Sequence, residues 1–271
     1  MLYIRSIVFN IYVYLLTVLL AGLGLPVLLL PRRAVAGVLR LWARLVNLGL
    51  RVICNIRVEI RGRDRLPDGA SLIAAKHQSM WDTIVFFDLL PDIVYVLKKE
   101  LAYIPLYGWF AVRAGMIRVD RDAHAKALRH LVKQAKTKAA DGRSILIFPE
   151  GTRVAPGEHI GYKPGIAALY SQLDIPCVPV AVNSGLCWPR RQFLRRPGTI
   201  ILEILPPIPP GLKRRDFMRR LESELEEASN ALVLEAGGTV AASGAPYAPA
   251  ARELVHDTAP PDPQPASATR K

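Results

Sequence analysis

The sequence predicts an α/β fold, in which a mixed, largely parallel sheet is flanked by helices and preceded by membrane-attached amino-terminal helices. Three observations lead to this prediction. A long uncharged run lies near the amino terminus, short apolar runs alternate with helical patterns from residue 55 onward, and polar loops follow four of those short runs. Alternating strand and helix patterns are typical of a sheet that helices cover on both faces.

The composition indicates a basic and unusually apolar chain. Of the 271 residues, 51% are hydrophobic, and the formal net charge is +13. This length accommodates one sizeable domain with additions at its ends. Such a charge favours anionic partners, which are nucleic acids, acidic phospholipid headgroups or phosphorylated substrates.

The first element is an apolar segment without charge between Arg5 and Arg32. As a helix, residues 7–30 would span about 36 Å, which is enough to cross the hydrocarbon layer of a bilayer. The run is too long for a cleaved signal peptide, and Pro31-Arg32-Arg33 follows it instead of a small-residue cleavage site. Gly24 and Pro26 favour a kink, so a hairpin that enters the membrane and returns is an alternative to a spanning helix.

The second element, residues 34–53, has the pattern of an amphipathic helix. Arg40, Arg44 and Arg51 fall within a stripe of about 40°, with Asn47 beside it and leucines opposite. A helix at the lipid headgroups has this pattern, and so has a helix packed on a soluble core. The preceding uncharged run favours the membrane and weighs against nucleic acid. The arginines then mark the cytoplasmic side, which predicts the cell inner (cytoplasmic) membrane, with the following domain in the cytoplasm.

From residue 55 onward the pattern predicts seven strands and five helices. Residues 213–236 form the last helix, and the chain after it is rich in Ala, Pro and Ser. We therefore predict membrane-embedded and interfacial helices in 1–54, an α/β domain in 55–236 and a disordered tail in 237–271. The predicted strands are 56–60, 71–75, 93–97, 116–119, 145–148, 177–182 and 200–205, and the other helices are 83–90, 101–114, 123–139 and 165–173.

The three cysteines, Cys54, Cys177 and Cys187, have neither metal-ligand nor redox spacing. Cys177 lies in an apolar run, which favours a buried structural thiol over a nucleophile. We expect a reducing cytoplasmic environment, no metal and no other cofactor.

Polar residues follow four of the predicted strands directly. Since ligands bind outside the carboxyl ends of parallel strands, these residues are expected to meet at one edge of the sheet. A site for an anionic, phosphorylated substrate follows from their charges. The residues are Lys76 and His77 after the second strand, Lys98 and Lys99 after the third, Asp120 and Arg121 after the fourth, and 148–153 after the fifth.

The loop after the second strand contains a His–Asp pair. His77 precedes Asp82 by five positions, and the loop runs into the helix predicted at 83–90. A histidine oriented by a carboxylate is the usual general base for taking a proton from a hydroxyl group. One such pair also arises by chance in a chain with five histidines. The residues of the surrounding loops therefore decide whether the pair indicates a catalytic site.

The loop Phe148-Pro149-Glu150-Gly151-Thr152-Arg153 supplies phosphate-binding chemistry. Thr152 carries a hydroxyl group, and Arg153 carries a forked donor that fits phosphate. Glu150 among so many cations is expected to hold an Arg or Lys in place and not to act as a second base. Residues 162–165 then open a helix whose amino-terminal end is able to face an anion.

These pieces together resemble the glycerolipid acyltransferases, and within them the 1-acyl-glycerol-3-phosphate acyltransferases. The resemblance covers residues 70–185 and is carried by four groups of residues in chain order. They are His77-Gln78-Ser79-Met80-Trp81-Asp82; Lys98-Lys99-Glu100-Leu101 with Ile104-Pro105, Gly108 and Asp120-Arg121; 148–153; and Val178-Pro179-Val180-Ala181-Val182. Lys76 departs from it, since many members have Asn there.

The resemblance implies an α/β acyltransferase that moves a fatty acyl group from acyl-CoA or acyl-ACP to the sn-2 hydroxyl of lysophosphatidate. His77 would be the general base and Asp82 its orienting partner. Lys98 and Arg153 would bind the acceptor phosphate, with Glu150, Gly151 and Thr152 in the same substrate-binding loop. Arg121 would be a further substrate-binding residue. Because adjacent residues of an extended segment point in opposite directions, only one of Lys98 and Lys99 should face the site, and the spacing favours Lys98.

Two alternatives remain. The acceptor is another lysophospholipid, or the protein is a non-enzymatic basic lipid-binding membrane protein. The sequence has no Gly-x-Ser-x-Gly motif and no Cys next to a His, so direct transfer without an acyl-enzyme is expected.

Overall fold

In the computed structural model, which describes residues 1–90, 92–120 and 124–240, seven strands form one sheet. Every predicted strand is present, and no bound differs from the prediction by more than two residues. The strands are β1 (Ile56–Arg61), β2 (Leu72–Ala75), β3 (Val94–Lys98), β4 (Ile117–Val119), β5 (Ile145–Ile147), β6 (Cys177–Val182) and β7 (Gly198–Ile204).

The sheet is mixed and largely parallel, as predicted. Its order is β1-β7-β6-β2-β5-β3-β4, and the run from β6 to β4 is parallel throughout. Only β7 and β6 pair in antiparallel fashion within the described residues, while β1 pairs with β7 in parallel. The four strands that precede the polar loops are therefore neighbours and point in the same direction.

Helices cover both faces of the sheet because the strand residues alternate between two cores. Ile73 and Ala75 of β2 pack into one core with the first four helices, whereas Leu72 and Ala74 pack into the other with the last three. The helices are α1 (Leu2–Leu23), α2 (Arg32–Cys54), α3 (Asp82–Leu89), α4 (Tyr107–Arg113), α5 (His124–Ala140), α6 (Pro164–Leu173) and α7 (Arg214–Glu235).

One predicted helix, residues 101–114, is divided in two. A short 3-10 helix covers Lys99–Tyr103, and α4 begins at Tyr107. Pro105 has no N–H to donate and disfavours a helical conformation at Ile104. Leu106 then has φ of 64°, in the left-handed region, so the chain turns before α4 begins.

The apolar amino-terminal segment also ends earlier than predicted. α1 stops at Leu23, and a 3-10 helix, Leu25–Leu29, leads into α2. The hydroxyl of Tyr12 donates to the carbonyl of Leu45 at 2.8 Å, and Trp42 Nε1 donates to Thr17 Oγ1 at 3.0 Å. These contacts pair α1 and α2 as an antiparallel hairpin. In the described chain, α1 alone is long and apolar enough to cross a membrane by length and composition.

Part of the polar stripe of α2 lies at the surface, and part of it contacts the α/β domain. Arg44 pairs with Asp88 of α3 at 2.6 Å, and Asn47 faces inward, where it accepts a hydrogen bond from Trp81. Val46 and Leu50 of the same helix lie in the core. The apolar residues Leu41, Leu48 and Val52 remain exposed. The predicted stripe is therefore not a purely solvent- or lipid-facing surface, since two of its positions hold the helix on the domain.

Candidate active site

The loop between β2 and α3 brings His77 and Asp82 together. His77 Nδ1 lies 3.1 Å from Asp82 Oδ2, and the Asp82 side chain is buried. Asp82 is the first residue of α3, but its carboxylate turns back to the loop instead of capping the helix. The backbone N–H groups of Gln78 and Ser79 both donate to Oδ2 at 2.7 Å. These contacts fix the carboxylate, which in turn fixes the orientation of the imidazole.

A fourth donor to Asp82 comes from Ser184, which the sequence analysis missed. Ser184 lies just after β6, and its Oγ is 2.5 Å from Asp82 Oδ1. The serine is fully buried. Since β6 is parallel to β2 and adjacent to it, the carboxyl-edge rule that selected the other loops also applies to residues 183–184. The polar pair Asn183-Ser184 after an apolar strand was the available signal.

The loop after β5 packs directly on His77. The rings of Phe148 and His77 stack with centroids 4.0 Å apart and an interplanar angle of 18°. The N–H of Val154 donates to the His77 carbonyl at 2.8 Å. The His77 side chain keeps 13% of its surface exposed, so the imidazole is held on one side and reachable on the other.

Glu150 is buried behind the histidine and does not face the surface. Its side chain is 0% exposed, its Oε1 lies 2.7 Å from Lys76 Nζ, and its Oε2 accepts the N–H of His77 at 3.0 Å. Burial raises the pKa of the Glu150 carboxyl, and the Lys76 ammonium and the His77 N–H oppose this. The geometry supports the organising role that the sequence analysis expected of Glu150.

Arg153 is partly buried and lies near other cations. Burial and the nearby guanidinium groups of Arg190 and Arg191 lower the pKa of Arg153, and Asp82 acts in the opposite sense. Among residues 1–90, 92–120 and 124–240, no carboxylate lies within ion-pair distance of Arg153. The Arg153 carbonyl accepts a 2.6 Å hydrogen bond from Arg190, which fixes the backbone. A half-buried guanidinium in positive surroundings has the chemistry to bind an anion.

The remaining residues of this loop shape its backbone. Gly151 has φ of 69°, in the left-handed region, and its N–H donates to the Phe148 carbonyl at 3.0 Å. Glycine adopts this conformation without the steric penalty of a side chain. Thr152 is exposed at the tip, where its hydroxyl is accessible.

The lysines after β3 lie farther along the same sheet edge. Lys98 pairs with Glu100 at 3.5 Å, and both side chains are about half exposed. Lys99 contacts Asp120 at 2.5 Å. β5 separates β3 from β2 in the sheet, so the 148–153 loop lies between Lys98 and His77. Arg121 falls outside the described residues.

An apolar cavity of about 290 Å³ opens beside this loop cluster. It lies between the amino-terminal hairpin and the α/β domain, and its wall includes Thr83, the residue after Asp82. Such a cavity fits a hydrocarbon chain. Its lining is Thr17, Val18, Leu20, Ala21, Val38, Leu39, Trp42, Thr83, Phe87, Tyr95, Leu97, 104–107, Phe110, Ala111 and Met116.

The arrangement as a whole is able to remove a proton from a hydroxyl group of an anionic, lipid-like molecule. The imidazole is oriented by a fixed carboxylate, a partly buried arginine lies in the loop that covers it, and an apolar cavity lies nearby. The cysteines Cys54, Cys177 and Cys187 are all buried, and burial raises the pKa of Cys177 and Cys187. None of these thiols is placed as a nucleophile.

Comparison with known proteins gives a family match and several named relatives. The family described as Acyltransferase matches residues 57–183. The 1-acyl-sn-glycerol-3-phosphate acyltransferase of Pseudomonas aeruginosa is 34% identical over 194 residues, covering 72% of this chain and 74% of the relative. The human 1-acyl-sn-glycerol-3-phosphate acyltransferase alpha is 31% identical over 195 residues, covering 70% and 68% of the two chains.

A solved structure has the same fold. It is the 1-acyl-sn-glycerophosphate acyltransferase PlsC from Thermotoga maritima, with a TM-score of 0.73 and 21% sequence identity. The match covers 86% of this chain and 98% of that one. It therefore includes part of the amino-terminal region as well as the α/β domain.

Proposed function

This chain belongs to the family of the 1-acyl-sn-glycerol-3-phosphate acyltransferases, and we propose that it makes phosphatidate. In this proposal a fatty acyl group moves from acyl-CoA or acyl-ACP to the sn-2 hydroxyl of 1-acyl-glycerol-3-phosphate. The observation that carries it is the 3.1 Å contact between His77 and Asp82, in a loop cluster that also contains Arg153, which has no ion pair with the part of the chain that the structure describes. The choice of 1-acyl-glycerol-3-phosphate as the acceptor follows from the names of the relatives.

His77 is the general base of the proposed reaction. Its Nδ1–H donates to Asp82, which leaves the Nε2 lone pair for the proton of the acceptor hydroxyl. The hydroxyl oxygen attacks the thioester carbonyl carbon as the proton moves to Nε2. The carbon–sulfur bond then breaks, and the thiol leaves with that proton. The acyl group passes directly to the acceptor, and the buried cysteines take no part.

Arg153 binds the acceptor phosphate, with Gly151 and Thr152 in the same loop. Two anionic substrates repel each other, so fixed cations at the site favour their joint binding. Lys98 extends the positive edge along β3 and is the lysine of its pair that faces the substrate.

The apolar cavity beside Thr83 binds an acyl chain. Its walls come from α1 and α2 on one side and from β3 and α4 on the other, so a chain in it lies between the hairpin and the catalytic domain. Burial of apolar surface supplies the binding free energy at about 25 cal/mol per Å².

The amino-terminal hairpin attaches the enzyme to an anionic phospholipid membrane. The exposed apolar residues Leu15, Val18 and Leu19 of α1 and Leu48 and Val52 of α2 support this, because they would be costly to leave in water. In this arrangement the chain is held on the cytoplasmic side of the inner membrane, where a lipid acceptor reaches His77 laterally.

An acceptor panel tests the proposed function. Purified protein in detergent receives acyl-CoA or acyl-ACP with lysophosphatidate, or with lysophosphatidylcholine, lysophosphatidylethanolamine or lysophosphatidylglycerol, and thiol release is measured. We expect release with lysophosphatidate and phosphatidate as the product. Faster release with another lysolipid would show that this lysolipid is the preferred acceptor. No release with any combination of donor and acceptor would contradict the proposed activity and favour a non-enzymatic lipid-binding protein.

A further inference from the structure

Lys76 is a buried ammonium held between two carboxylates from different parts of the fold. Its side chain is 2% exposed, and its Nζ lies 2.7 Å from Glu150 Oε1 and 2.5 Å from Glu226 Oε1. Glu226 belongs to α7, which is 150 residues away in sequence. A buried ammonium is strongly unfavourable unless it is paired, so the two carboxylates stabilise it there.

Glu226 is itself fixed by a second donor. The hydroxyl of Tyr162 donates to the same Oε1 atom at 2.8 Å. Burial and the neighbouring carboxylates raise the pKa of Tyr162, so the phenol stays protonated and remains a donor. One buried cation thus contacts two carboxylates, and one of these also accepts a hydrogen bond from a phenol.

We propose that Lys76 and Glu226 are positioning residues that set the orientation and charge of Glu150, and through it the position of His77. The contacts run from α7 to the base in three steps. Glu226 holds Lys76, Lys76 holds one oxygen of Glu150, and the other oxygen of Glu150 accepts the His77 N–H. The inference rests on the proposed role of His77 as the general base.

The geometry separates this role from substrate binding. Lys76 and Glu150 are both buried, and Arg153 lies outside the chain of contacts that links them to α7. Loss of Lys76 would therefore lower kcat and leave KM for the acceptor within about twofold, because only the base would be displaced.

The charges of Lys76 and Glu226 distinguish the proposed positioning role from a purely structural one. The groups that face Glu150 are Lys76, Glu226, Tyr162 and the N–H of His77. Loss of a nearby cation favours the protonated form of a neighbouring base, and loss of a nearby carboxylate favours the deprotonated form. Substitutions of Lys76 and Glu226 must therefore shift the acid limb of the kcat–pH profile in opposite directions.

The experiment compares kcat–pH profiles of the detergent-purified full chain. Lys76→Met keeps the length of the side chain and removes its charge. We expect kcat at neutral pH to fall about tenfold or more, with the acid limb at higher pH. Glu226→Gln keeps an oxygen acceptor for Lys76 and Tyr162 and removes the charge. We expect kcat within about threefold of wild type, with the acid limb at lower pH.

Matched controls remove the same charges elsewhere. Lys136→Met removes an exposed lysine of α5 that contacts Gln172, and Glu224→Gln removes a surface carboxylate of α7 that pairs with Arg220. Both should leave the acid limb in place.

A double variant keeps the test available if Lys76→Met does not fold. Lys76→Met with Glu226→Gln relieves the repulsion between the two carboxylates, and its acid limb should lie between those of the single variants.

The outcome separates this inference from the proposed function. An unmoved acid limb in Glu226→Gln, or shifts of the same sign in the Lys76 and Glu226 variants, would overturn the inference while His77→Ala remained inactive. Full activity of His77→Ala would overturn the proposed function itself.

Discussion

Ser184 Oγ lies 2.5 Å from Asp82 Oδ1, in a buried contact that joins the end of β6 to the catalytic loop. It completes a set of four donors around one carboxylate, of which the other three come from the 77–79 segment. The orientation of His77 therefore depends on a strand that is far from it in sequence.

We expect Ser184→Ala to lower kcat about tenfold, because a hydrogen bond to a charged group contributes about 1.5–3 kcal/mol. KM for lysophosphatidate should stay unchanged, since Ser184 is buried behind the carboxylate. Steady-state kinetics measures both constants. Ser171→Ala is the control, because Ser171 Oγ donates only to the carbonyl of Ala167 within α6. An equal kcat for Ser184→Ala and wild type would show that the three other donors suffice.

Arg153→Ala should raise KM for lysophosphatidate about tenfold or more, since it removes a charge-assisted contact with the phosphate. Arg153→Lys should restore only part of the affinity because a lysine lacks the forked donor. The control is Arg219→Ala, which removes an exposed arginine that pairs with Asp216 on α7. KM is obtained by titrating the acceptor at saturating donor. The assignment fails if KM for Arg153→Ala matches that of the control.

Thiol reagents should not inhibit the folded enzyme. Burial raises the pKa of Cys187 to about 11 and that of Cys177 further. Since the thiolate forms only above the pKa, almost none is present near neutral pH, and alkylation is slow. Activity is measured after incubation with iodoacetamide, with and without denaturant. Rapid inactivation of the native protein, protected by acyl-CoA, would show an accessible thiol at the donor site and count against the buried, unreactive cysteines described above.

Substitution of the exposed apolar residues of α2 should detach the protein from membranes. Leu48→Glu with Val52→Glu adds two charges to positions that are 52% and 73% exposed. Vesicle flotation should show a large loss of binding to anionic vesicles, because glutamates oppose both insertion and attraction to acidic lipids. The control is Thr137→Glu with Gln172→Glu, which adds the same two charges to the exposed surface of α5 and α6 and should leave flotation unchanged. Unchanged flotation of the α2 variant would remove this face from the proposed membrane contact.

Most of the strands were predictable because they are short apolar runs bounded by polar residues, and β2 and β6 are buried along their full length. The helix predicted at 101–114 was wrong. Apolar spacing continues through it, but Pro105 and the left-handed Leu106 interrupt the backbone. Local conformation at these two residues overrides the periodic pattern.

The site was predictable where it depends on the carboxyl edge of the sheet. The rule placed the His77 loop and the 148–153 loop together, and the same rule would have placed Ser184. Glu226 was not predictable, because a glutamate on an amphipathic helix has the same spacing whether it faces solvent or a buried lysine. Asn47 is a similar case, since its contact with Trp81 depends on how α2 packs.

The most direct test of the account is thiol release from acyl-CoA by wild type, His77→Ala and His130→Ala, with lysophosphatidate as acceptor. His130 is exposed on α5, so its variant controls for the loss of a histidine. We predict release matched by phosphatidate formation in wild type and His130→Ala, and a fall of about 100-fold or more in His77→Ala. Equal rates in all three proteins would contradict the assignment of His77 as the base.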